Sequence, residues 1–139
     1  MLTRLIYTSK ARRFSSTDIA GILAVSRSWN ATVGITGALC LLDGVYMQYL
    51  EGEQADIEDL YGKIKVDERH HDPVVLERGE ADVRVFPDWT MALLVWDERI
   101  KAIVRRHGVG PSESLYDIAP AEAVPFFLSL ARTPNWVAL

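Results

Sequence analysis

A hairpin with a two-residue Asp-Gly turn, an uncharged amide inside its second arm, and elements in the order β-α-β-β-α-β plus one further strand predict an α+β sandwich. The expected form is ferredoxin-like. Two helices lie over an antiparallel or mixed five-stranded sheet, followed by a C-terminal helical cap. At 139 residues, the chain is long enough for one domain with its own core.

Residues 2–8, rich in Leu, Ile, Tyr and Thr, read as the first strand. Ser15, Ser16, Thr17 and Asp18 offer N-caps for a helix ending near Asn30, whose apolar positions Ile19, Ile22 and Leu23 follow the helical period. Ser26 and Asn30 continue that face. The hairpin pairs residues 37–42 with 45–50 across Asp43-Gly44, and its first arm is apolar on both faces. A second helix spans about 55–66, with Ile57, Leu60, Tyr61 and Ile64 on its inner stripe. Pro73 opens a fourth strand to about residue 83, and Pro87-Asp88 turns into a fifth over 89–96. Two helical stretches close the chain, at about 98–107 and 121–132, separated by Gly108, Gly110 and Pro111.

Composition narrows the function. Hydrophobic residues make up 49% and charged residues 24%, an ordinary soluble balance. A net charge of −4 argues against a nucleic-acid footprint. The longest apolar run, residues 91–96, is too short for a bilayer, and basic residues break the N-terminus before any signal-like stretch. The single Cys40 excludes an intrachain disulfide and a multi-cysteine metal site, so a cytoplasmic address is expected. His70 and His71 are adjacent but lack a third ligand, which argues against zinc.

The amide is Gln48. Left unpaired in a covered strand, it would cost roughly 1–3 kcal/mol, so it needs a buried polar partner. Tyr7 shares a face with Thr3 and Leu5, and Gln48 shares one with Tyr46 and Leu50. In the ferredoxin-like order, strands one and three are neighbours, which sets Tyr7 beside Gln48. Asn30 lies 11 residues beyond Ile19, about three helical turns, and so returns to the sheet side. The cluster Asp67, Arg69 and His70 ends the second helix nearby. Taken singly, each residue has a plainer role: a strand glutamine bonded to backbone, a core tyrosine, a helix C-cap, a solvated helix end.

Together they carry a resemblance. Leu5-Ile6-Tyr7-Thr8-Ser9, Ser26-Arg27-Ser28-Trp29-Asn30, Gly34-Ile35-Thr36-Gly37, Met47-Gln48-Tyr49-Leu50-Glu51-Gly52, Asp67-Glu68-Arg69-His70 and Phe86-Pro87-Asp88-Trp89-Thr90-Met91 occur in the order seen in BLUF domains, blue-light sensors that bind FAD. The chain resembles a short BLUF protein, with the sensor over about residues 1–97 and a cap over 98–139. The resemblance implies a photoactive Tyr7–Gln48 pair, answered by Trp89 and Met91 of the fifth strand. It implies flavin contacts from Asn30, Lys63, Asp67, Arg69 and His70. Ile22, Leu23 and Ile64 suit the faces of a flat apolar ring. Trp29 departs from relatives that carry a smaller or more polar residue there.

A sensor without an attached catalytic domain implies a separate effector protein, with a cyclic-di-GMP phosphodiesterase among the candidates, and a homo-oligomer is expected. The cap carries more apolar surface than a free tail, so it is expected on the sheet face opposite the flavin. The rival readings are an acylphosphatase-like hydrolase, for which the glycine-rich anion loop is missing, and a dimeric ligand-binding module without light chemistry.

Overall fold

The computed structural model describes residues 1–11, 16–108 and 114–138. Strands β1 (Leu2–Ala11), β2 (Thr36–Leu42), β3 (Val45–Glu53), β4 (His70–Glu80), β5 (Ala92–Leu94) and β6 (Trp136–Ala138) form one sheet in the order β4-β1-β3-β2-β5-β6. All neighbours are antiparallel except β2 and β5. Asp43 (φ 51°) and Gly44 (φ 76°) both take positive φ, as the tight β2–β3 turn requires. β1 and β3 are the central pair, with Tyr7 directly opposite Gln48.

Two helices cover one face. Helix α1 (Ser16–Val25) widens into a π turn (Ser26–Asn30) and closes with one more α turn (Ala31–Val33). Asn30 is therefore not a C-cap but sits inside the helix, where the wider turn follows the sheet. Of the expected caps, Ser15 lies outside the described residues, as do the side chains of Ser16, Thr17, Asp18 and Ile19. Helix α2 (Gln54–Lys65) buries Ile57, Leu60 and Tyr61, as its period predicts.

Helices α3 (Glu98–His107) and α4 (Pro120–Ala131), joined through a short 3₁₀ turn (Leu115–Asp117), cover the other face. Ile100, Ile103, Val104, Phe126, Phe127 and Leu130 pack there on Ile6, Cys40, Met47 and Tyr49. Fully burying each such side chain contributes about 1.5–3 kcal/mol.

Three expectations change. The sheet has six strands, because residues 136–138 pair with β5 and extend it. The fourth strand begins at His70 rather than Pro73. β4 is an edge strand, and its pairing with β1 is irregular between Thr8 and Lys10, opposite the stretch from His71 to Val74. A proline without an N–H is tolerated there. The fifth strand shrinks to Ala92–Leu94, because residues 81–91 spend their length crossing the end of the sheet, past β1, β3 and β2.

Candidate functional site

Strand alternation divides β3 between the two layers. Tyr46, Gln48 and Leu50 face the α1–α2 side, while Val45, Met47 and Tyr49 face the cap. On the first side lies a cleft of about 290 Å³, close to the roughly 300 Å³ at which small-ligand pockets begin. Its inner wall is Tyr7, Leu39, Tyr46 and Gln48. Ile22, Val25, Ser26, Ser28 and Trp29 line it from the first helix, and Leu60, Lys63 and Ile64 from α2. Asp67, Arg69 and His70, in the turn after α2, complete it.

A hydrogen-bonded relay runs along the inner wall. The Tyr7 hydroxyl donates to Gln48 Oε1 at 2.5 Å, and Gln48 Nε2 donates to Met91 Sδ at 3.3 Å. All three side chains are buried. Burial pushes the Tyr7 pKa far above its ordinary value, and the neighbouring Tyr61, Asp67 and Tyr46 push it further in the same direction. The phenol thus stays a neutral donor across working pH. The two ends of the amide are not equivalent here. Tyr7 can donate or accept, so it tolerates either face of Gln48, whereas a thioether only accepts. Met91 therefore favours the orientation that turns Nε2 toward it.

Asn30 is fully buried. Its Nδ2 donates to the Thr90 carbonyl at 3.0 Å, and its Oδ1 has no partner. The bond to a carbonyl, which can only accept, fixes which end of the amide is nitrogen. His70 meets Ser9 Oγ at 2.7 Å through Nδ1, and burial lowers its pKa, partly offset by Asp67. Arg69 folds back on Asp67, its backbone N–H donating to Oδ1 at 2.9 Å and its guanidinium 3.6 Å from Oδ2. Lys63 Nζ stands 3.7 Å above the Trp29 ring, linking the two helices beside the cleft.

Most of the residues singled out in the sequence thus converge on one cleft. Leu23 does not line it but packs in the core beneath, with Leu5 and Leu50. Trp89 is displaced entirely. It belongs to the cap-side cluster, stacked on Phe86 at 5.6 Å and beside Trp136 at 5.6 Å. A regular strand would put Trp89 and Met91 on one face, but both precede β5 in irregular chain, and Met91 alone turns to the cleft. Tyr46 and Leu39 line the cleft although only Gln48 was singled out from the hairpin. Period-2 alternation from Gln48 gives Tyr46, and Leu39 is its direct cross-strand partner.

The protein belongs to the BLUF family, sensors of blue-light using FAD, whose model matches residues 2–92. Photoactivated adenylate cyclase subunit beta of Euglena longa is 37% identical over 92 residues, 65% of this chain and 11% of that protein. BlsA in its photo-activated state superposes with a TM-score of 0.88 at 27% identity, covering 97% of this chain and 98% of that one. Klebsiella pneumoniae BlrP1 with FMN and cyclic diGMP gives 0.63 at 35% identity, over 68% of this chain and 26% of that one. The chain thus spans a small fraction of the cyclase it matches.

The chain carries a blue-light flavin-sensor domain of this family, and the reading as a module without light chemistry gives way. The cleft fits the group: apolar walls and a polar relay at the back, with Asn30, which does not itself line the cleft, keeping an unpaired Oδ1 in the same π turn as the lining Ser26 and Trp29. Among the described residues no helix is long and apolar enough to cross a membrane.

Proposed function

We propose that this chain is a FAD-binding photoreceptor of the cytoplasm, whose switch is the Tyr7–Gln48–Met91 relay and whose output passes to a separate effector protein. The observation that carries the reading is that relay, continuous and buried at the inner wall of the cleft. A flavin bound there supplies the blue-light absorption and an electron and proton acceptor. Tyr7 holds a transferable proton on a neutral hydroxyl beside Gln48. Gln48 exposes a donor and an acceptor on one rotatable group, so its hydrogen-bond pattern can be rewritten without moving the backbone. Asn30, with its free Oδ1, holds the ring edge, while Ile22 and Ile64 cover its faces and exclude water. A longer tail would leave the cleft, and Lys63 and Arg69 are lining cations that would hold its phosphate.

The effector is proposed to be one of the nucleotide-signalling class, given the cyclase and cyclic-di-GMP relatives. The cap on the opposite face is the element a partner reads. Tyr7→Phe tests the core of the reading. The variant should still load flavin, and its reversible red shift under blue light should disappear. A Tyr7→Phe protein with a normal photocycle would remove Tyr7 from the switch.

A further inference from the structure

Glu51 takes no part in the relay, yet its side chain is wholly buried. A carboxyl group persists in such a place when its oxygens are bonded. Oε1 accepts from the Val85 backbone N–H at 2.6 Å and Oε2 from that of Phe86 at 2.8 Å, with Thr36 Oγ1 3.5 Å from Oε2. Arg84 reinforces the junction, donating to Thr36 Oγ1 at 2.8 Å and to the Glu51 carbonyl at 3.1 Å. All these bonds grip the segment that crosses the sheet end between β4 and β5.

That segment has no ladder of its own to fix which side chains point where. Downstream it touches the fold through two backbone carbonyls: Gly37 N–H donates to Trp89 at 3.0 Å, and Asn30 Nδ2 to Thr90. The first contact needs a bare glycine, since a Cβ on Gly37 would sit 1.9 Å from the Tyr49 carbonyl oxygen. A slip of one residue along this irregular segment would bring Thr90 or Ala92 to the place of Met91. Such a slip would remove Met91 from Gln48. Glu51 stands three residues after Gln48 on β3, and so faces the other way. One strand carries both the amide and the group that holds the chain bearing its sulfur partner.

We propose that Glu51 is the positioning residue of the switch: its grip on Val85 and Phe86 sets the register of residues 86–91, so that Met91 meets Gln48. The inference rests on the relay reading, and its test separates the two. The chain has three methionines, Met1, Met47 and Met91, and Met47 is buried on the cap face as an internal control. In flavin-loaded, dark-adapted Glu51→Gln labelled at the methionine methyls, the Met91 resonance should move or split while Met47 stays. Dark recovery should accelerate on the order of fivefold, the scale of one lost buried hydrogen bond.

A folded, loaded variant with wild-type Met91 resonance and recovery overturns the proposal. If Glu51→Gln does not fold, Arg84→Gln loosens the same crossing without touching the carboxyl, and its Met91 resonance decides: displaced supports, unmoved overturns. A displaced Met91 with unchanged recovery upholds the register role and instead removes Met91 from the switch.

Discussion

The two faces of the sheet are built from alternate residues of the same strands, yet they obey different rules. On the cap face, Tyr49, Phe86 and Phe127 meet edge to face at 5.2–6.2 Å, and Phe126 joins them at 5.7 Å from Phe127. Around these rings that face is close-packed. On the cleft face the same strands present Tyr7 and Gln48 beside a void, with Asn30 Oδ1 unbonded close by. Packing holds the first face in one arrangement, because displacing any ring opens a cavity. The second face stores alternatives, because a hydroxyl and an amide can exchange roles at little steric cost. The difference shows where stability and switching are kept apart within a single layer of backbone.

The largest effect that would sharpen this contrast is on switching. Gln48→Leu should abolish the light-induced spectral shift completely while leaving a folded, flavin-loaded protein, as read by difference absorbance. A surviving shift would mean that the cleft face does not hold the switch. Across the sheet, Phe127→Ala should cost about 3–5 kcal/mol in denaturant unfolding, the range for a buried phenylalanine, with the dark flavin spectrum unaltered. A loss below about 1 kcal/mol would show that the cap face is not the close-packed layer described.

Asn30→Ala removes a partnerless buried oxygen, Oδ1, proposed to meet the ring edge. Flavin affinity should fall about two- to tenfold, or the resting spectrum should change, consistent with one hydrogen bond. Unchanged affinity and spectrum would make Asn30 only a tether for Thr90. The smallest effect is that of pH. Burial lowers the folded-state pKa of His70. As pH falls below about 6.5, the unfolded chain takes up the proton first. Stability is therefore lost from there down to the folded value and is level below it. His70→Gln should flatten that slope in apo-protein melts between pH 5 and pH 7 (about the range where histidine titrates), and an unchanged slope would assign it to other groups.

Much of the site was legible in the chain because it follows from short-range periodicity. The Asp-Gly turn fixes the hairpin register, alternation puts Gln48 on the face of Tyr46, and the helical period puts Ile22 and Ile64 around one cleft. Leu23 was expected at the cleft and does not line it, because a helical stripe is wider than the part of it that borders a cavity. Asn30 was placed near the C-terminal end of its helix, where it lies, but the π turn that holds it was missed, since nothing in Ser26-Arg27-Ser28-Trp29-Asn30 announces one.

What the sequence determined by itself is therefore the set of local patterns: the hairpin, the main helices, the faces on which Tyr7 and Gln48 lie and the apolar weight of the cap. What only the tertiary structure decided is the course of residues 81–91, the opposite fates of Trp89 and Met91, the buried Glu51 beneath that crossing, and the sixth strand. Alternation and helical period are written within a few residues of one another and can be read from them. A crossing segment has no period, and its side chains point where contacts with β2, β3 and the cap, far away in sequence, leave room for them.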